Sequence, residues 1–167
     1  LGSCKKDKTE TVKIAEFHNP GSSNEPTYTV IANSSSKVNT PWDIKFIKIG
    51  DEVYDLNNIE HGIIRKEFSE PRIHFAVNCA AYSCPPLLNK AWTADNLNSN
   101  FEKQTKAFIN NSRFNKIDKN SVEISKIFDW YKEDFGNIIE FLSKYSTTEI
   151  NSNAKVSYKE YDWALNE

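Results

Sequence analysis

Apolar and polar positions alternate along Trp42, Ile44 and Phe46, with Ile47 and Ile49 beyond them, until Gly50-Asp51 interrupts the run. A period of two places alternate side chains on one sheet face, so the segment is expected to be a strand, with Val53-Tyr54 pairing back as a hairpin. Over 56–68 the spacing becomes helical: Leu56, Ile59 and Ile63 share one face and His61, Ile64 and Phe68 a neighbouring stripe, with Asp55 placed as the cap. Pro71 breaks the chain. The stretch 72–77 is short and mostly apolar, as a strand buried in a sheet would be, and 78–86 reads as a loop. Leu97, Phe101, Thr105 and Phe108 recur at the clearest helical spacing, with Thr93 as the expected cap and Asn110-Asn111 as the stop. A strand at 121–124 leads to a helix carrying Ile127, Trp130, Tyr131 and Phe135, stopped by Gly136. Asn137 and Glu140 have capping-box spacing for a last helix through Tyr145. Alternation returns at 156–163. Together these elements predict a single α+β domain, a small mixed sheet flanked by helices.

The first forty residues follow neither period. Residues 5–40 are rich in Ser, Asn, Thr and Lys, with breakers at Pro20-Gly21 and Pro26 and short apolar runs only near 14–17 and 28–32. The expected organisation is a polar tether and partial N-terminal element over 1–40, then the domain over 41–167. At 167 residues one core is the default. A composition 38% hydrophobic and 26% charged is that of a chain that folds around it. The net charge of −2, with mixed signs, lacks the clustered Lys and Arg that nucleic acid requires, so none is expected as a partner. No run approaches the roughly 20 apolar residues of a membrane helix. The opening Leu1-Gly2-Ser3-Cys4 resembles the lipobox of bacterial lipoproteins, where a diacylglyceryl group is attached to the cysteine. That likeness implies an exported protein of the bacterial cell envelope, membrane-anchored by lipid on Cys4, with the polar residues after it as a tether.

Three histidines and three cysteines set the candidate chemistry. His18 lies in the irregular N-terminal stretch and is set aside. For His61, His74, Cys79 and Cys84 three explanations compete. The first is a disulfide, since four residues between Cys79 and Cys84 suffice to close a loop and export permits one. The second is zinc bound by all four, but the histidines stand 13 apart and both precede the cysteines, unlike the paired spacing of structural fingers. The third is catalysis by a thiol. A cysteine just past a buried strand, in a loop that presents backbone N–H groups, is placed to attack a carbonyl and stabilise the oxyanion. Such a thiol needs a histidine within hydrogen-bond reach to ionise it. His74 is near in sequence, yet an extended 74–79 would hold the two Cα atoms roughly 16 Å apart. His61, on the preceding helix, is the better expected base for Cys79. His74, Asn78 and Ser83 are then read as polar groups facing the substrate. No cofactor is expected, and the partner would be an unidentified small molecule or peptide. The rival is a non-catalytic binding or scaffolding domain in which these residues only pack.

Three motifs carry a resemblance to a known family. Leu56-x-x-Ile-Glu-His61, Pro71-Arg-Ile-His-Phe-Ala-Val-Asn-Cys79-Ala-x-x-Ser83-Cys-Pro85 and Tyr161-Asp-Trp-x-Leu-Asn166 resemble the DUF547 family, a group defined by sequence and described as of unknown function. The likeness runs from about Trp42 to the C-terminus. Plant members resemble this loop at Cys79 but carry serine at the position of Cys84, which implies a role for Cys79 beyond pairing. Two departures stand out: Ala81 replaces the family's usual serine, and of its N-terminal helix at most Tyr28-Thr29-Val30 remains.

Overall fold

In the computed structural model, which describes residues 41–166, Gly50 reverses the chain at a φ of 62°, a left-handed conformation open to glycine without steric cost. The alternating run therefore closes as the expected hairpin, with β1 (Ile47–Ile49) antiparallel to β2 (Glu52–Tyr54) and Ile49 opposite Glu52. The ladder is shorter than the alternation implied: Pro41–Asp43 forms a 3-10 turn, because proline fixes φ near the helical value. Asp55 caps the next helix, its carboxylate accepting from the Asn58 N–H at 2.6 Å. That expected helix forms, but Asn58–Ile64 is wound as a π-helix before α1 (Arg65–Glu67), so the stripes drawn at 3.6 residues per turn shift around its axis. Phe68, at φ −128° and ψ 125°, ends it. These elements belong to the first of two compact units, Leu1–Phe68; the second is Ser69–Glu167.

The second unit opens with a correction. The stretch expected as a buried strand is a 3-10 helix, Pro71–Phe75. Local hydrogen bonding outweighs the apolar run: Pro71 pre-sets the first helical φ, and the Glu70 side chain caps the turn by accepting from the Arg72 N–H. Glu70 also takes two bonds from the Arg72 guanidinium, whose third nitrogen reaches Glu102 at 2.6 Å. Burial pushes the Glu70 carboxyl up, but the bonds from Arg72 outweigh it and hold it below the usual range.

The turn aims Phe75 into the core, where it is fully buried with its ring 4.9 Å from Phe108 and 5.7 Å from both Phe128 and Phe135. The clear helix is α2 (Leu97–Ile109), which buries Phe101, Thr105, Phe108 and Ile109. It starts three residues later than the Thr93 cap implied, because 94–96 form a turn in which Asn96 Oδ1 accepts from the Thr93 N–H. β3 (Lys116–Ile117) pairs antiparallel with β4 (Ser121–Ile124), and β4 pairs parallel with β5 (Lys155–Tyr158). Central β4 alternates strictly, Val122 and Ile124 inward and Ser121 and Glu123 outward. Between β4 and β5 the expected helix is broken at Tyr131 into α3 (Ile127–Trp130) and α4 (Lys132–Phe135), and Gly136 ends it at φ 63°. Asn137 then caps α5 (Ile138–Tyr145), accepting from the Ile139 and Glu140 N–H groups while its own amide donates to Glu140. The expected terminal strand stops at Tyr158. The architecture is α+β, with a two-stranded and a three-stranded mixed sheet among the described residues.

Candidate functional site

The loop 78–86 comes directly after the 3-10 helix, and its geometry is set by three residue types. Asn78 folds back on it: its Oδ1 accepts from the Ala80 N–H and its Nδ2 donates to the Pro85 carbonyl at 2.8 Å. Ala80 adopts φ 63°, a left-handed conformation that costs an alanine about 1–2 kcal/mol. Cys79 and Cys84 are joined in a disulfide with Cα atoms 6.3 Å apart. Of the three explanations for this pair, the disulfide is the one the structure contains. The sulfurs differ in environment. Cys84 is 5% exposed and its Sγ accepts from the Cys79 backbone N–H at 3.0 Å, whereas Cys79 is only half-buried.

A second segment, 161–166, lies along this loop. The Tyr82 N–H donates to the Ala164 carbonyl at 2.6 Å and the Ser83 N–H to the Asp162 carbonyl at 3.2 Å. In return the Asp162 N–H donates to Ser83 Oγ and the Asn166 N–H to the Ala80 carbonyl. Ala81 bridges to Leu165. The Tyr161 hydroxyl sits over the disulfide, 3.4 Å from Cys79 Sγ and 3.2 Å from Cys84 Sγ. Oxidised sulfurs carry no proton, so the hydroxyl is the donor. Burial pushes its pKa up to about 12, so it keeps that proton at neutral pH. Trp130, Tyr161 and Trp163 pack together with ring centres 4.6–5.6 Å apart, the two tryptophans stacked and Tyr161 tilted against both. On the loop's other flank the Arg113 guanidinium lies 3.7 Å over the Tyr82 ring and donates to the Tyr82 carbonyl.

The expected site residues are divided between the two units. Cys79, Asn78 and Ser83 share the loop, but Asn78 and Ser83 spend their polar groups on holding the loop and its covering segment. His74 is 2% exposed; its Nε2 donates to Asp134 at 2.7 Å and its ring stacks on Tyr131 at 3.8 Å. The extended chain that would have held it far from Cys79 does not exist. What engages His74 is Asp134. His61 belongs to the first unit, where its Nδ1 accepts from the Arg65 guanidinium at 3.3 Å. Among the described residues no three His, Cys, Asp or Glu side chains gather as metal ligands, and no helix is long and apolar enough to cross a membrane. Cys4, His18 and Tyr28 lie outside the described residues.

Sequence reasoning missed Tyr161, Asp134 and Arg113. A signal existed for the first, because Tyr161-Asp-Trp-x-Leu-Asn166 is one of the three motifs that carry the resemblance, yet its alternation reads only as a strand. Asp134 and Arg113 gave none, since a charge on a helix or in a turn looks the same whether solvated or engaged.

No curated protein and no solved structure matches the chain. A family model does, over residues 14–109, which is more than half of the sequence. The match begins well before Trp42, so it includes part of the stretch read as tether, and it ends at α2, before the Tyr161 motif. It takes in the whole loop with Cys79 and Cys84, and on that basis the chain belongs to the DUF547 family of proteins of unknown function.

Proposed function

We propose that this is a non-catalytic binding domain of a bacterial envelope lipoprotein, anchored through Cys4, in which the Cys79–Cys84 bridge clamps a loop that engages a small molecule or peptide. One observation carries the reading: the Cys79 sulfur is bonded to Cys84 and so is not a nucleophile. Two exposed rings beside the clamp, Tyr82 at 46% and Trp163 at 40%, offer the apolar contact such recognition uses. His74, bonded to Asp134 inside the domain, then shapes the loop's base, and Asn78 and Ser83 set its backbone.

Alkylation by iodoacetamide near neutral pH tests this. The native protein, with no reductant added, is expected to take up no label at Cys79 or Cys84 and to have an intact mass two hydrogens below the dithiol. The catalytic reading, a thiol hydrolase or acyl transferase with Cys79 as nucleophile and His61 as base, predicts fast labelling of Cys79 over Cys84 in the same experiment. That outcome would replace the binding proposal. Lipidation is tested separately: palmitate incorporated by the precursor in a bacterial host should disappear in Cys4→Ser.

A further inference from the structure

The two sulfurs of the clamp are unequally built, and the inequality has a direction. Cys79 is the more exposed residue of the two. Cys84 is buried and its Sγ alone accepts from the Cys79 backbone N–H, at 3.0 Å, while the Tyr161 hydroxyl lies 3.2 Å from it and 3.4 Å from Cys79 Sγ. In thiol–disulfide exchange the attacked sulfur must be reachable, and the departing sulfur leaves faster when its thiolate is stabilised. A thiolate accepting two hydrogen bonds is so stabilised. We propose that the Cys79–Cys84 bond is exchange-active toward small thiols, with Cys79 as the attacked sulfur and Cys84 as the leaving group, Tyr161 donating to it.

An external thiolate forms a bond to Cys79 Sγ as the Cys79–Cys84 bond breaks, and the electron pair leaves on Cys84 as a thiolate, held by the N–H and the hydroxyl. A second small thiol, attacking as its thiolate, displaces the first from Cys79. Two protein thiols result, and two external thiols have been oxidised to one disulfide. The ring opens in the first step, and the left-handed φ of Ala80 is then held only by the Asn78 contacts and by the bonds to the strap 161–166. This inference does not rest on the binding proposal: a protein that failed to exchange could still bind, and one that exchanged need not.

Reduced glutathione is the probe. Oxidised protein is incubated with it in native buffer, quenched with acid, and the mixed disulfide located by peptide mass mapping. Glutathione on Cys79, with Cys84 as free thiol, is expected. Glutathione on Cys84 overturns the proposal, and so does a bond that neither glutathione nor excess dithiothreitol reduces without denaturant. Tyr161→Phe gives an independent reading through its sign. Loss of a hydrogen bond to the developing thiolate slows reduction about tenfold. If Tyr161 served only to hold the strap down, its removal would expose the bond and speed reduction. Faster or unchanged reduction in that variant refutes the donor role, and the mapping on the wild-type protein stands even if the variant fails to fold.

Discussion

Removing the clamp by the double change Cys79→Ser and Cys84→Ala has a magnitude set by the ring it closes. Cys79 and Cys84 are five positions apart, so the ring contains about six residues. The chain-entropy relation gives about 2 kcal/mol for closing so small a loop in the unfolded state. Truncating the buried Cys84 side chain adds about 1 kcal/mol of lost burial, while alanine there avoids burying a hydroxyl. The loop keeps its bonds to 161–166 and the Asn78 contacts, so the native geometry should survive. The total is about 2–3 kcal/mol, which at a typical m of about 1–3 kcal/mol/M lowers the urea midpoint by about 0.7–3 M. Equilibrium urea unfolding of wild type and variant, followed by tryptophan fluorescence, reads this directly, and dithiothreitol should bring wild type close to the variant without moving the variant. A midpoint shift near zero with unchanged m would refute the reasoning, because it would mean that loop closure contributes nothing to the folded state.

Phe75→Ala empties a site packed by at least three rings and should cost about 3–5 kcal/mol in urea unfolding, while Phe75→Leu should retain most of the stability. Asn137→Ala removes the acceptor for two N–H groups at the start of α5 and should lower stability by about 1 kcal/mol, measured as a thermal shift. Tyr161 has its pKa raised by burial to about 12, against about 10 when unfolded. The folded state therefore holds the proton more tightly; the associated stability is complete below pH 10 and is lost as pH rises toward 12. Alkaline unfolding should be shallower in Tyr161→Phe than in wild type, with Tyr158, also raised by burial, supplying part of what remains.

Much of the fold could be read along the chain wherever one local rule acted alone. The β1–β2 hairpin, the Asp55 and Asn137 caps, the stop at Gly136 and strand β4 each depend on a turn residue, a cap or a strict period. Reading failed where two rules competed. In Pro71–Phe75 the apolar run argued for a strand, while Pro71 and the Glu70 cap argued for a turn, and the turn prevailed. The helix after β4 kept its apolar spacing yet broke at Tyr131. For the candidate site, the loop and its cysteines were legible, because proline and cysteine announce themselves. The segment that closes over the loop was not. The bonds from Tyr161, Asp162 and Asn166 span about eighty positions, and the His74–Asp134 pair spans sixty. No period along the chain encodes a contact of that range.

The parallel pairing of β4 with β5 has a consequence for the order in which the molecule assembles. Parallel neighbours cannot be joined by a tight turn; the chain between them makes a long crossover that contains α3, α4 and α5. The β4–β5 pairing is long-range, which by the cost of closing long loops is expected late in folding, and the segment 161–166 comes just after β5. The six-residue ring, by contrast, closes from neighbours in sequence and needs no other part of the domain. Oxidation of the loop is thus available early in folding and the strap arrives late, onto a ring already formed. A chain synthesised only as far as α5 would hold the disulfide bare, and that interval is when it is most open to rearrangement with other thiols.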